Sequence, residues 1–140
     1  MQTEILVPAL VLILWSLVML VWMAAVRLPA LGRAKIPLDK RKGGRGQDLE
    51  GVLAPEINWK AHNYAHLMEQ PTLFYACVII LAMVGYSPAV LVAAWLYVGL
   101  RIVHSLWQSL VNTVPVRLAL FLLGSLLLAF MAVNALLASI

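Results

Sequence analysis

The sequence predicts an all-α integral membrane protein, a four-helix bundle that forms a single domain over residues 1–140. Hydrophobic residues make up 64% of the chain and charged residues only 11%, which is far from the average of soluble domains. The apolar residues fall into four blocks, at 5–26, 67–84, 89–111 and 116–140. Each block is close to the roughly 20 residues that a helix needs to cross the hydrocarbon core of a bilayer. No block alternates polar and apolar residues as barrel strands do, so helices are the expected spans.

The first helix is predicted over residues 4–27, with Pro29 as a stop signal just beyond it. The start of the chain carries no basic residue, and the apolar run is too long for a signal peptide, so we expect this helix in the mature protein. Residues 28–57 form the only substantial polar segment. Its glycine-rich, charged part at 41–46 predicts a loop, either a solvated linker or a lid over a binding site.

Basic residues are concentrated between the first two helices. The chain has a net charge of +4 and contains 10 Lys and Arg residues. Eight of these basic residues lie in this region: Arg27, Arg33, Lys35, Lys40, Arg41, Lys42, Arg45 and Lys60. By the positive-inside rule this loop is cytoplasmic, as is the turn between the third and fourth helices, and both termini lie on the opposite side. A basic loop beside a membrane meets anionic headgroups, so membrane lipids are expected partners and nucleic acid is not.

The second helix, predicted over residues 58–84, contains the candidate site residues that stand out most. Glu69 is the only acidic residue inside an apolar block, and because a carboxylate is costly in lipid, it marks a candidate functional site. Pro71 cannot continue the helical hydrogen bonding and should kink the helix beside Glu69. At about 100° per residue, His62, His66 and Glu69 fall within about 60° of one another, on one helix face.

The third helix, predicted over residues 88–112, carries a polar stripe at helical spacing. The stripe consists of Arg101, His104, Ser105, Gln108 and Asn112. The fourth helix, predicted over residues 115–138, adds Arg117 in its first turn. Helices 2 and 4 begin, and helix 3 ends, on the side of the basic loop. These polar groups are therefore expected to form one pocket together with those of helix 2.

The residue types leave three interpretations of this pocket open. In the first, Glu69 pairs with Arg101, and the other groups form a structural network between helices. In the second, the histidines and Glu69 bind zinc or iron. The two arginines and the lack of Glu-x-x-His repeats argue against the second interpretation, so no metal is expected. In the third, the arginines hold carboxylates or a thiolate and Glu69 holds an ammonium group, which suits a zwitterionic small molecule with several carboxylates.

Two motifs resemble signatures of a known family. His66-Leu-Met-Glu69-Gln-Pro71-Thr-Leu-Phe-Tyr75 is similar to an Asn-x-x-Glu-x-Pro signature on helix 2, in the short Glu-x-Pro form of bacterial-type members. Arg101-Ile-Val-His104-Ser105, followed by Asn112 and Arg117, is similar to that family's Arg-x-x-His-[Ser/Thr] helix 3 and its helix 4 arginine. With these motifs and its helix order, the chain resembles the MAPEG family, the membrane-associated proteins of eicosanoid and glutathione metabolism.

The resemblance implies a homotrimer in a bacterial inner membrane, with glutathione as co-substrate between subunits near the cytoplasmic side. By position, Arg117 would be the catalytic residue, since a cation beside a thiol favours the thiolate. The glutathione-binding residues would be Glu69, His66, His62, Arg101, His104, Gln108 and Arg27. The implied activity is a transferase or peroxidase acting on hydrophobic electrophiles from the lipid. The alternative is a non-catalytic membrane protein whose polar cluster is structural or binds a lipid or a small anion.

The chain also departs from the eicosanoid branch of the family. It has His62 and Ala65 near positions where that branch has arginines, and His66 where asparagine is usual. Gln108 and Phe121 stand where that branch has tyrosines. Several anion contacts and a hydroxyl of that branch are therefore missing, and the resemblance does not identify the electrophilic substrate of this chain.

Overall fold

The computed structural model describes residues 3–36 and 42–140, so Lys40 and Arg41 of the predicted basic loop lie outside the described residues. The elements are α1 (Leu6–Arg33), a short 3₁₀ helix (Gly46–Leu49), α2 (Pro55–Leu67), α3 (Gln70–Val84), α4 (Pro88–Leu110) and α5 (Val114–Ser139). Four helical spans, formed by α1, by α2 with α3, by α4 and by α5, are long and apolar enough to cross a membrane. The predicted all-α fold with four such helices is confirmed.

Among the described residues, proline marks the start of four of the five α-helices. Pro55, Pro71, Pro88 and Pro115 each occupy the first or second position of a helix. At these positions the missing N–H costs no helical hydrogen bond, and the fixed φ angle already suits the helix. The prediction that Pro88 opens the third span is confirmed, with Ser87 as the preceding cap residue.

The core lies where α3, α4 and α5 meet, and α1 closes it from one side. The ring of Phe74 on α3 stacks on Tyr97 of α4, with ring centroids 4.4 Å apart. A Cβ atom at Gly124 of α5 would lie 3.7 Å from Cε2 of Tyr97. A small residue at this position therefore lets α5 lie directly against the Tyr97 ring.

α1 continues through Pro29 to Arg33, so the prediction that Pro29 stops the first helix is wrong. The extra turns are covered by a small apolar cluster of Ala30, Leu31, Leu49 and Leu53. Burying these side chains offsets the cost of a proline within the helix. The same cluster fixes the described part of the polar segment against α1, so that part is not a free linker.

The second span breaks at Glu69 instead of bending as one helix. α2 ends at Leu67, α3 begins at Gln70, and Glu69 is the N-cap residue of α3. Pro71 has no N–H to give to the carbonyl of Leu67. The N–H of Glu69 instead reaches the carbonyl of His66, at 3.3 Å. The predicted disruption at Pro71 is therefore confirmed in position and is stronger than a kink.

Gln70 attaches the start of α3 to two neighbouring helices. Its Nε2 donates to Oγ of Ser125 on α5 at 2.7 Å. Its Oε1 accepts a hydrogen bond from the hydroxyl of Tyr97 on α4 at 3.2 Å. Side-chain hydrogen bonds between helices are a common source of specific packing within membranes, and these two fix where α3 begins.

Candidate functional site

Arg101 lies in the middle of the bundle on α4 and is only 1% exposed. Its Nη2 donates to the backbone carbonyl of His66 at 3.0 Å and contacts Nδ1 of the same residue at 3.1 Å. The carbonyl belongs to the last turn of α2, where the helix carries partial negative charge and suits a cation. Because a guanidinium can only donate, Nδ1 must accept, and the proton of a neutral His66 ring then lies on Nε2.

His66 is also part of an aromatic stack. Its ring is stacked on that of His104, with centroids 4.7 Å apart and an interplanar angle of 13°. The ring of Phe121 meets His66 edge-on at 5.7 Å. These side chains line a cavity of about 200 Å³ between α2, α4 and α5, which we call the histidine cavity. Its lining residues are His66, His104, Val114, Arg117, Leu118 and Phe121.

Arg117 supplies the positive charge of the histidine cavity. Asn112, just beyond α4, has a positive φ of 61°, a conformation that asparagine tolerates at helix ends. This conformation brings Oδ1 of Asn112 within 2.7 Å of Nη1 of Arg117. In the part of the chain that the structure describes, Nε of Arg117 has no hydrogen-bond partner, and no carboxylate lines the cavity. A fixed guanidinium beside two imidazoles suits an anionic ligand group.

A second set of polar contacts, next to His104 in sequence, joins α1, α2 and α4. Oγ of Ser105 on α4 accepts hydrogen bonds from Nε1 of Trp15 on α1 at 3.1 Å and from Nδ2 of Asn63 on α2 at 2.7 Å. Ser105 and Asn63 are fully buried. These hydrogen bonds form a structural network between helices. They hold α2 against α4, the two helices that carry the stacked rings of His66 and His104.

Replacing Ser105 with alanine is expected to lower the free energy of unfolding by about 1–2 kcal/mol, because two donors lose their acceptor. Ser109→Ala is the matched control. Ser109 lies on the same helix and is equally buried, but its Oγ has no partner among the described residues. The measurement is denaturant titration in mixed micelles, followed by helical circular dichroism. Equal losses for both variants would show that the Ser105 bridge contributes nothing specific.

Glu69 does not line the histidine cavity. It is exposed, and among residues 3–36 and 42–140 it forms no ion pair. The break at Glu69 removes it from the face that His62 and His66 share on a continuous helix. The ion pair between Glu69 and Arg101 that the first interpretation requires is therefore not formed among the described residues. The prediction of one pocket that collects all the polar groups is wrong.

His62 and Arg27 belong to a different cavity of about 350 Å³, at the end of the bundle that carries the polar segment. We call it the loop-end cavity, and its polar lining side chains are Arg27, Arg45, Gln47, Glu50, His62 and Tyr64. Nε2 of His62 contacts the carboxylate of Glu50, and Nη2 of Arg27 donates to the carbonyl of Gly46. These contacts place the polar segment over the ends of α1 and α2.

The remaining predicted residue, Gln108, is buried on α4 one turn beyond His104. Its Oε1 has no hydrogen-bond partner within the described ranges. A metal-binding arrangement is not formed by the described residues, since no three His, Cys, Asp or Glu side chains come together. The histidines of α2 and α4 thus form a stacked pair instead of a ligand set.

Sequence reasoning missed several residues that shape these cavities. Asn63 and Gln70 flank the predicted site residues on α2 and α3, and each forms a hydrogen bond to another span. The signal that could have found Gln70 is its polarity inside the apolar block 67–84, because side-chain amides within membranes commonly bond across helices. Glu50 offered no such signal, because loop residues follow no periodic pattern.

A family comparison places the chain among known proteins. The model of the MAPEG family matches residues 5–137 of the 140-residue chain. The chain belongs to the MAPEG family. This family includes glutathione-dependent transferases and peroxidases. No curated protein and no solved structure matches the chain. Together with the four apolar spans, MAPEG membership makes the chain an integral, multi-pass membrane protein.

Proposed function

We propose that this MAPEG protein is a glutathione-dependent transferase or peroxidase that acts on hydrophobic electrophiles. The observation that carries the proposal is the guanidinium of Arg117, which lines the histidine cavity and is fixed by Asn112. A cation in a site of low dielectric stabilises a thiolate, which is the nucleophilic form of the thiol. In the transferase reaction the thiol proton passes to solvent, the sulfur forms a bond to the electrophilic carbon, and the leaving group departs with its bonding electrons.

The other site residues are proposed to bind the peptide. His66 and His104 line the cavity beside Arg117, and Arg101 positions the His66 ring through the contact at Nδ1. Gln108 lies one turn further along α4. His62 and Arg27 in the loop-end cavity are suited to the peptide carboxylates, because both can donate to oxygen.

We propose a homotrimer, in which Glu69 faces a neighbouring subunit and holds the amino group of glutathione. The exposure of Glu69 on a single chain supports this assembly. A carboxylate at membrane depth is expensive to leave against lipid, and a subunit interface with a bound ammonium group would remove that cost. The density of basic residues beside α1 and α2 supports a cytoplasmic position for this end of the bundle in a bacterial inner membrane.

Access for a hydrophobic electrophile is supported by an apolar groove of about 590 Å³ between α3 and α5. Ser125, which lies one turn beyond Phe121 of the histidine cavity, lines the groove. The same helix therefore borders the polar cavity and an apolar route from the membrane. A substrate dissolved in lipid could approach the thiolate along this route without crossing water.

The second candidate function is that of a non-catalytic membrane protein whose polar cluster is structural or binds a lipid or a small anion. The contacts of Arg101 with His66, and of Ser105 with Trp15 and Asn63, favour it, because they are interhelical bonds that need no ligand. On this view the histidine cavity is a by-product of helix packing.

Titration calorimetry of the detergent-purified protein with glutathione tests the proposed function. We expect binding at millimolar concentration or tighter, with one ligand per subunit, and a trimer mass by light scattering. Ophthalmate, in which a methyl group replaces the thiol, is the matched control for peptide binding without a thiolate. Absence of heat with both ligands would contradict the proposal and favour the second candidate function.

A further inference from the structure

The loop-end cavity is covered by residues 45–50, which we call the strap. The strap presents two oxygen acceptors to basic side chains of the helices. The carboxylate of Glu50 contacts Nε2 of His62 on α2. The carbonyl of Gly46 accepts from Nη2 of Arg27 on α1. His62 and Arg27, which could both hold a ligand carboxylate, are therefore already in contact with oxygens of the chain itself.

We propose that Glu50 is an internal occupant of an anion site in the loop-end cavity, and that a ligand carboxylate displaces it. Two arginines, Arg27 and Arg45, line this cavity, and Glu50 is the only carboxylate among its described lining residues. When the Glu50 side chain turns away, the lining keeps only positive and neutral groups. The site then attracts an anion.

The contact between Glu50 and His62 is weak enough to be exchanged. The two side chains are 50% and 43% exposed, respectively. Ion pairs this exposed to solvent contribute little, since water screens them and both side chains lose freedom in forming them. A ligand carboxylate that meets His62 and Arg27 together would gain two donors where Glu50 uses one. Exchange of one carboxylate for the other is then favourable.

The strap can stay in place while its glutamate moves. Leu49 is buried, with only 8% of its surface exposed, and it packs in the apolar cluster at the end of α1. The backbone N–H of Arg45 donates to the carboxylate of Asp48 at 2.8 Å, which stabilises the turn within the strap. Beyond Glu50, the backbone N–H of Val52 donates to the carbonyl of Leu49 at 3.2 Å. The backbone is thus fixed on both sides of Glu50, and only a side-chain rotation is required.

The volume of the cavity fits the end of a small peptide better than a single ion. At about 350 Å³ it falls within the range of small-molecule sites. The side chains of Gln47 and Tyr64 also line it and offer further polar groups. The inference rests on the proposed function only in the choice of glutathione as the natural ligand, because any ligand with a carboxylate would compete with Glu50.

The test compares Glu50→Gln with Glu56→Gln by titration calorimetry, using glutathione and glutarate as probes. Both variants remove one carboxylate from the same end of the bundle, but Glu56 does not line the cavity. We expect Glu50→Gln to tighten binding of both probes by about two- to fivefold, the range of an exposed ion pair. Glu56→Gln should leave both affinities unchanged. Adding His62→Gln to the Glu50→Gln variant should remove the gain.

The outcomes separate this inference from the proposed function. If glutathione binds the wild-type protein and Glu50→Gln tightens it no more than Glu56→Gln, the internal-occupant role is overturned while the proposed function stands. If only glutarate binds and Glu50→Gln tightens it, the inference holds and the choice of glutathione is wrong. If neither probe binds any of the variants, the inference is overturned. Thermal unfolding of each variant in the same detergent establishes that the folds are comparable.

Discussion

Replacement of Arg117 by alanine is expected to lower kcat/KM for conjugation of glutathione to an aryl halide by about 100- to 1,000-fold, the loss seen when one charge-stabilising donor is removed from an active site. The guanidinium lines the histidine cavity, which holds no carboxylate among the described residues to balance it. Without this cation the bound thiol is less acidic, so a smaller fraction is thiolate at neutral pH. Ultraviolet absorbance of the bound thiolate measures that fraction directly.

Two further variants make the Arg117 result specific. Arg117→Lys keeps the charge but loses the planar fork that Asn112 holds, so an intermediate rate is expected. Arg33→Ala removes the same residue type from the exposed end of α1 and should leave the rate unchanged. A normal rate and a normal thiolate signal in Arg117→Ala would exclude the proposed role of Arg117.

Arg101→Ala is expected to lower the free energy of unfolding by about 3 kcal/mol. The variant loses two charge-assisted hydrogen bonds, and this loss is partly offset because a charge no longer has to be buried. Both bonds end on His66, at its carbonyl and at Nδ1. Their loss also frees the His66 ring from its fixed orientation against His104. Denaturant titration in mixed micelles measures the first effect, and calorimetry with glutathione measures the second as weaker binding.

The control for Arg101 asks whether its charge or its volume matters. Arg101→Met preserves much of the side-chain volume but removes the donors. If Arg101→Met is more stable than the wild-type protein, the guanidinium costs more to bury than its contacts with His66 return. Nε and Nη1 of Arg101 have no hydrogen-bond partners in the described structure. The comparison with Arg101→Met therefore also shows how much the burial of these two unpaired donors reduces the stabilisation that Arg101 provides.

The helix count and the buried stripe of α4 could be predicted because each rests on a regular pattern. Long apolar blocks predict spans from length alone. Helical spacing places Arg101, His104, Ser105 and Gln108 on one side of α4, and the structure buries all four. These predictions need only local periodicity, since the spacing of side chains on an unbroken helix is fixed.

The composition of the site could not be predicted in the same way. Placing Glu69 on the face of His62 and His66 assumes an unbroken helix, and the break at Glu69 invalidates that assumption. The extension of α1 beyond Pro29 depends on Leu49 and Leu53, residues from a segment with no periodic pattern. Contacts between distant parts of the chain decided the extension of α1, and helical spacing carries no information about such contacts. The break follows from Pro71, whose local signal does not distinguish a kink from a full break.

The double attachment of Gln70 determines how the bundle can move. A break in a membrane span is a natural hinge, because residues at the ends of helices absorb changes in φ and ψ. Here the first residue of α3 is bonded to both Tyr97 and Ser125, and on the other side of the break α2 is bonded to α4 through His66 and Asn63. Both parts of the broken span are thus held against α4, and bending at the break would have to rupture one of these two sets of hydrogen bonds. A water-soluble ligand should therefore enter at the loop end through movement of side chains, while the backbone of the bundle keeps its shape.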